Sequence, residues 1–360
     1  MKQRLGIMGC GQLSQMMAEA ARRRGAEVSF LCVDETPVVH GLGRVYHERE
    51  FDEFLAACDA ITVERESLPD AMLQAARDQV GLAPCYDALV VLRERDTQKA
   101  MLDKLEIPTS PWVLVSSDVE LANALASLPG EMVRCKRTLG GYDGGGQWRV
   151  PIAASAGVIP DDAYPVIAEA EIAIERELAI VVARDVEGNT VVYPVTENYM
   201  RDGVLIGSIV PASIEEATAD NAATVACKLV NAMNYVGVLA IEFFVTEGQL
   251  IVNEIAPRVH NTGHWTIGAV GPDQFTQHTT CVLGGRVEQP VFEQSAALIN
   301  LLDKPLPREM PEGPIRSLIQ TYGKRSRKGR KLGHITLIGL DPDGLRRAAE
   351  AMIEELHGPL

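Results

Sequence analysis

Apolar runs and amphipathic stretches alternate at the start of the chain. Residues 5–8 read as a buried strand, Gly9-Cys10-Gly11 as a tight turn, 13–24 as an amphipathic helix, and 27–33 as a second strand closed by Asp34. That order predicts a βαβ unit and a parallel sheet. Residues 60–63 predict a further strand with Glu64 and Glu66 at its end. Ligands of open α/β sheets bind beyond the carboxyl ends of strands, so both glutamates and the Gly9 turn belong near a cleft. Downstream, the pattern predicts a helix over 87–105, a capped helix opening at Ser117, and strands over 132–136, 164–168 and 177–183. A long helix capped from Ser213 runs to about Asn234. Beyond Gln289 come short strands and loops, then a final helix from Asp341.

Two apolar runs break the pattern by carrying carboxylates. One contains Glu242. The other contains Asn253 and Glu254 and continues into Arg258, His260, Asn261, His264 and Trp265. A core strand has no use for that polar density, because each buried polar group needs a partner. Thr246-Glu247-Gly248-Gln249 between the runs suits a hairpin loop. A turn about Gly248 sets Glu242 opposite Glu254, where like charges repel. A divalent cation between them removes the repulsion, and oxygen ligands of this kind suit Mg²⁺ with a bound phosphate.

A chain of 360 residues exceeds one ordinary domain. Units are expected over 1–90, 91–170, 171–290 and 291–360. The net charge of −15 argues against a nucleic-acid partner. The seven cysteines are scattered singly, which predicts no disulfide framework, no zinc site and a reducing compartment. The absence of a leader-like or membrane-length apolar run predicts a cytoplasmic protein with no membrane partner.

Gly9-Cys10-Gly11 lacks the third glycine of a dinucleotide fingerprint, Ser14 standing there instead. A plain βα turn and an anion site at the helix N-terminus stand level. The loop from Lys136 to Gln147 is more specific, with Gly140, Gly141, Gly144, Gly145 and Gly146 in it. Such a backbone can fold its N–H groups around phosphate oxygens, with Lys136 placed to reach one. A bare surface turn is the lesser reading, since it needs neither Lys136, Tyr142 nor Gln147. The run 324–331 is the one dense basic cluster in an acidic chain, and a single bound phosphate would use two or three of its cations.

The glycine loop and the two glutamates together resemble the ATP-grasp superfamily. Gly11-Gln12-Leu13, Arg95-Asp96-Thr97-Gln98-Lys99, Gly140-Gly141-Tyr142-Asp143-Gly144, the run from Asn253 to Thr266, and Gly329-Arg330-Lys331-Leu332-Gly333-His334 narrow the resemblance to the N5-carboxyaminoimidazole ribonucleotide synthase family. The resemblance implies an α/β fold with α+β elements: an N-terminal Rossmann-like parallel-sheet domain, a small lid and a C-terminal sheet domain. It implies ATP-dependent carboxylation of 5-aminoimidazole ribonucleotide by bicarbonate through carboxyphosphate, with two Mg²⁺ ions and a homodimer.

By the same resemblance, Arg95 and Lys136 contact ATP, and Gly141, Tyr142, Asp143, Gly144, Gly145, Gly146 and Gln147 form the lid loop. Glu169, Ala170, Glu171 and Ile172 form the adenine hinge, and Glu177 meets the ribose. Glu242 and Glu254 hold Mg²⁺ beside Asn253. Arg258, His260 and Asn261 form the bicarbonate and carboxyphosphate site. Gly11, Gln12 and Tyr142 border the substrate pocket, and Lys324, Arg330 and Lys331 anchor the 5′-phosphate. Met200, Ser14, Gln15 and Thr280 depart from the family's pattern. An ATP-grasp ligase of another substrate, or a weakened nucleotide-binding regulatory homologue, remain the competing readings.

Overall fold

A computed structural model describes residues 3–33, 36–140, 145–152, 158–303, 306–307, 309–311, 313–327 and 329–360. Asp34, Gly141, Tyr142, Asp143 and Gly144 lie outside the described residues.

Three sheets organise the chain. The first holds β1 (Arg4–Met8), β2 (Glu27–Cys32), β3 (Arg44–His47) and β4 (Ala60–Val63) in the order β3-β2-β1-β4, all parallel. Leu5, Ile7 and Met8 are fully buried, as expected of a strand covered on both faces. Helices α1 (Gln12–Arg23), α2 (Phe51–Ala56) and α3 (Asp70–Gln79) belong to this part of the chain. A linker pair, α4 (Tyr86–Arg93) and α5 (Arg95–Lys104), leads to the second sheet. That sheet is antiparallel, with β5 (Trp112–Val115), β6 (Met132–Arg137), β7 (Gln147–Pro151) and β8 (Val166–Ala170) in the order β5-β8-β6-β7, backed by α6 (Asp118–Ser127).

The third sheet has nine strands. They are β9 (Arg176–Arg184), β10 (Thr190–Val192), β11 (Thr196–Arg201), β12 (Val204–Val210), β13 (Gly237–Thr246), β14 (Gln249–Ala256), β15 (Ser295–Leu302), β16 (Arg316–Thr321) and β17 (Lys331–Gly339). The order is β14-β13-β9-β11-β12-β15-β17-β16, with β10 on β9. Strands of 171–290 and of 291–360 thus share one sheet, joined where β12 pairs β15. Helices α7 (Glu216–Ala232), α8 (Gln274–Val282) and α9 (Pro342–His357) complete the described α-helices. Helix α8 packs on α1, and the largest apolar cluster runs through the first and third sheets without a break. His278 on α8 adds a polar tie, accepting from the Val238 N–H at 3.0 Å and meeting Thr62 Oγ1 at 2.8 Å.

Several local expectations need correction. The single helix over 87–105 is two helices, because Glu94 is extended and Arg95 N–H donates to the Thr138 carbonyl of the lid rather than inside a helix. Ser213 does not cap α7, which opens after Glu215 with no side-chain cap. The region after Gln289 holds two long, almost wholly buried strands, β15 and β17. Cys10 and Cys32 form a disulfide, with Cα atoms 5.3 Å apart. Parallel register of β1 and β2 brings their carboxyl ends side by side, which spacing along the chain does not reveal. The other five cysteines are unpaired.

Candidate active site

The cleft is built around the hairpin of β13 and β14. Glu247 and Gly248 both have positive φ, +49° and +70°, the turn whose twist matches the flanking strands. In the resulting register Glu242 lies directly opposite Glu254. A bulge between Glu242 and Phe243 sets Asn253 against no partner of its own, and both Asn253 and Glu254 leave the buried side. Burial, then repulsion from Glu254 and Glu177, push the Glu242 carboxyl up to about 8. A bound divalent cation would relieve that condition. Two carboxylates and the Asn253 carboxamide fit Mg²⁺, which binds through few carboxylates and substrate phosphates rather than an all-protein cage. Among the described residues no cluster of three or more His, Cys, Asp or Glu makes such a cage.

A buried charge triad ties the lid to helix α5. Glu169 on β8 takes Lys136 on one oxygen, at 2.6 Å, and Lys99 of α5 on the other. Burial opposes the Glu169 charge, but Lys136 and Lys99 overcome it and hold the carboxyl down at about 2. Lys99 is only 3 % exposed. The triad carries one net positive charge at the edge of the cleft. Arg95 grips the base of the glycine loop, donating to the carbonyls of Arg137 at 2.9 Å and Gly140 at 2.5 Å. Gly145, Gly146 and Gln147 lead into β7, where Gln147 pairs Lys136. Beyond Glu169, Ala170 N–H donates to Pro111 and Glu171 N–H to Met132. The Glu171 carboxylate faces Arg149 at 2.7 Å and Arg134 at 3.1 Å, so its side chain belongs to the lid surface. Ile172 follows in an irregular segment, half-buried. Glu177 on β9 pairs Phe244 of β13, and burial raises its carboxyl to about 7.

Past β14 the chain turns into the cleft. Arg258 donates through Nε to Glu66 at 3.0 Å, an ion pair that reaches the end of β4. His260 Nδ1 lies 2.9 Å from Thr262 Oγ1 and 3.9 Å from Glu242. Burial and then the charges of Arg258 and Lys331 drive its pKa well below the ordinary imidazole range, so it is neutral. Asn261 is 8 % exposed, yet neither polar atom of its carboxamide has a partner. Buried amides ordinarily have partners, so both polar atoms of this one stand available to a ligand.

At the mouth of the first sheet the question of an anion site is answered against it. The Glu64 carboxylate itself occupies the N-terminus of α1, accepting from Gly11 N–H at 2.6 Å, Leu13 N–H at 3.0 Å and Ser14 Oγ at 2.6 Å. A Cβ on Gly9 or Gly11 would stand 2.4 or 2.5 Å from Glu64 atoms, so the glycines make room for that side chain and not for a phosphate. Gln12 reaches the third sheet's end of the molecule, accepting from Lys324 Nζ at 2.6 Å. Arg330 is half-buried, donating to the Arg325 carbonyl at 3.5 Å. Lys331 opens β17, and its charge acts on Glu242, His260 and His264.

Comparison with known proteins settles the family. The ribonucleotide synthetase preATP-grasp domain matches residues 1–93, the ATP-grasp domain 100–275, and the phosphoribosylaminoimidazole carboxylase C-terminal domain 296–348. The N5-carboxyaminoimidazole ribonucleotide synthase of Brucella melitensis is 37% identical over 349 residues, covering 93% of this chain and 96% of its own. That of Escherichia coli is 33% identical, covering 96% and 93%. The chain belongs to the N5-carboxyaminoimidazole ribonucleotide synthase family.

It is an ATP-dependent ligase with the ATP-grasp fold and its parallel-sheet N-terminal domain. The structure of N5-carboxyaminoimidazole synthetase from Staphylococcus aureus complexed with ADP superposes with a TM-score of 0.87 at 28% identity, covering 98% of this chain and 97% of that one. The carboxyaminoimidazole ribonucleotide synthase from Aspergillus clavatus complexed with ATP gives 0.87 at 26%, covering 98% of each.

Within this family fold two of the four departures, Ser14 and Met200, find structural reasons. Ser14 is fully buried and adds a third donor to Glu64. Met200 packs against the apolar cluster shared by the first and third sheets. Thr280 is buried with an unpartnered hydroxyl, and no physical account of it emerges. The sequence placed Gln98 and Lys99 in a motif without a role for either, and placed Glu64 and Glu66 near a cleft without their partners. Gln98, buried on α5, donates to the Ile255 carbonyl at 3.2 Å and accepts from its N–H at 3.0 Å, which completes the outer edge of β14 beside Glu254. Lys99 carried a usable signal, its place in the Arg95–Lys99 motif. Glu66 was legible as a strand-end residue near a cleft, but its partner was not, because Arg258 is 192 residues away.

Proposed function

We infer that the protein joins bicarbonate to the exocyclic amine of 5-aminoimidazole ribonucleotide in de novo purine synthesis. ATP passes its γ-phosphoryl group to a bicarbonate oxygen, giving ADP and carboxyphosphate. Carboxyphosphate breaks to CO₂ and phosphate. The amine lone pair then attacks the CO₂ carbon and loses a proton, giving N5-carboxyaminoimidazole ribonucleotide. The observation that carries this reading is the opposition of Glu242 and Glu254 directly before a loop bearing Arg258, His260 and the unpartnered Asn261.

Phosphoryl transfer needs positioning and charge neutralisation more than a nucleophile. Two Mg²⁺ ions held by Glu242, Glu254 and Asn253 would supply neutralisation at the ATP phosphates. Lys136, drawn from Glu169, reaches those phosphates, and Lys99 remains to balance Glu169. Arg95, the 141–147 loop and the 169–172 hinge hold the nucleotide, with Glu177 at its ribose. The relatives solved with ADP and ATP support nucleotide binding in the same cleft. Arg258 presents a planar fork suited to two oxygens of bicarbonate, and Glu66 fixes its direction. Neutral His260 and the Asn261 amide offer hydrogen bonds without adding charge. Gly11, Gln12 and Tyr142 border the imidazole, and Lys324, Arg330 and Lys331 hold the 5′-phosphate. A homodimer in the cytoplasm completes the reading, with the Cys10–Cys32 disulfide standing against a reducing compartment and the five unpaired cysteines for it. Light scattering that returned the single-chain mass of 39.1 kDa would refute the dimer.

ADP release measured with bicarbonate, with and without 5-aminoimidazole ribonucleotide, tests the activity. Release should rise when the ribonucleotide is added, and a flat response would defeat the assignment. Release driven instead by formate and another ribonucleotide would mark a ligase of different substrate. Glu254→Gln should abolish turnover by removing charge from the metal site. A near-normal kcat in that variant would put the metal elsewhere.

A further inference from the structure

The bicarbonate loop is held by a residue outside it. Gln274, the first residue of α8, is completely buried. Its Oε1 accepts from the His260 N–H at 3.0 Å, and its Nε2 donates to the His260 carbonyl at 2.7 Å. One carboxamide thus takes both backbone groups of one residue, as a neighbouring strand would. Nε2 also lies 3.1 Å from His264 Nδ1, and the Gln274 N–H donates to Thr266 Oγ1 at 3.1 Å. The reversed amide would set oxygen against a carbonyl and nitrogen against an N–H, so the geometry admits one orientation. His264 Nδ1 is then an acceptor, and its proton sits on Nε2.

Gln98 grips Ile255 in the same way, but Ile255 also pairs with Ile241 across the β13–β14 ladder. His260 has no strand partner. Its peptide orientation sets the directions of its own imidazole and of the next side chain, Asn261. The loop is closely fitted to this amide: a Cβ on Gly263 would stand 2.6 Å from Gln274 Oε1.

We propose that Gln274 is a positioning residue for bicarbonate activation, acting through the His260 peptide to aim His260 and Asn261 at the reacting anion. This rests on the carboxylase reading of the loop. Misplacement of a reacting group by about 1 Å can lower a rate about a hundredfold. Gln274→Glu keeps the acceptor for the His260 N–H and the side-chain shape, and loses both donors. Gly263→Ala keeps the glutamine but forces its amide away from the His260 peptide, since the added Cβ would stand 2.6 Å from Oε1. Both variants should lower kcat for bicarbonate-dependent ADP release about tenfold to a hundredfold and raise the bicarbonate KM, with the ATP KM within about twofold of the parent.

The measurement is steady-state ADP release against bicarbonate and against ATP, on protein whose folded fraction is fixed by thermal unfolding. A merely structural glutamine would lower activity only in proportion to folded protein, leaving both KM values alone. That result, or parental kcat in both variants, would overturn the proposal. Parent enzyme that shows no bicarbonate-dependent ADP release would instead overturn the reading beneath it.

Discussion

Glu242 and Glu169 are neighbouring-cleft carboxylates driven in opposite directions. Burial with like charge pushes Glu242 up to about 8, whereas two lysines hold Glu169 at about 2. The ordinary value of the Glu242 carboxyl is 4.5. Between about 4.5 and about 8 the folded protein keeps a proton that the unfolded chain has released, so stability without metal falls as pH rises through that window. Glu177, raised to about 7, adds to the same slope. Calorimetry of metal-free enzyme should show Tm falling from about pH 5 to about pH 8, with a shallower fall in Glu242→Gln. That variant should be more stable than the parent at the alkaline end and lack turnover. An unchanged slope would mean that Glu242 is not the group titrating. Glu169→Gln leaves buried Lys99 without its counter-charge and should cost about 3–5 kcal/mol, read from urea unfolding.

The β1–α1 turn and the β13–β14 hairpin show how far a local pattern reaches. The hairpin was legible from alternation and a Glu-Gly turn, and its register follows from the turn itself. The bulge that exposes Asn253 beside Glu254 was not legible, since it depends on how β13 also pairs with β9. The glycines of the β1–α1 turn were legible as a tight turn, with an anion site at the helix N-terminus as the equal alternative. Glu64 fills the space, from a strand 50 residues beyond Ser14. Gly11→Ala should therefore displace Glu64 and raise the ribonucleotide KM by about tenfold, leaving the ATP KM unchanged. An equal change in both KM values would detach this turn from the substrate pocket.

Across the molecule, the proposed ligand sites fall where parts of the chain meet. Arg258 pairs with Glu66, Gln12 with Lys324, and Thr62 with His278, each joining the N-terminal sheet to the large one. Lys331 stands at the opening of β17, with its charge felt at Glu242 and His260. Lys331→Ala should raise the ribonucleotide KM and spare ATP affinity. Calorimetric titration with each ligand checks this, and an equal loss for both would move Lys331 to the nucleotide side.

Periodicity, turn residues and a few dense polar runs were enough to announce a parallel sheet at the N-terminus, a hairpin with opposed carboxylates and an ATP-grasp relative. Those features are written locally, because backbone sterics and side-chain alternation act over a few residues. Folding alone chose the partners: Lys99 for Glu169, Glu66 for Arg258, Gln274 for the His260 peptide, and Cys32 for Cys10. Most buried polar groups find a partner, but which distant segment supplies it depends on how the sheets pack, and no local pattern records that.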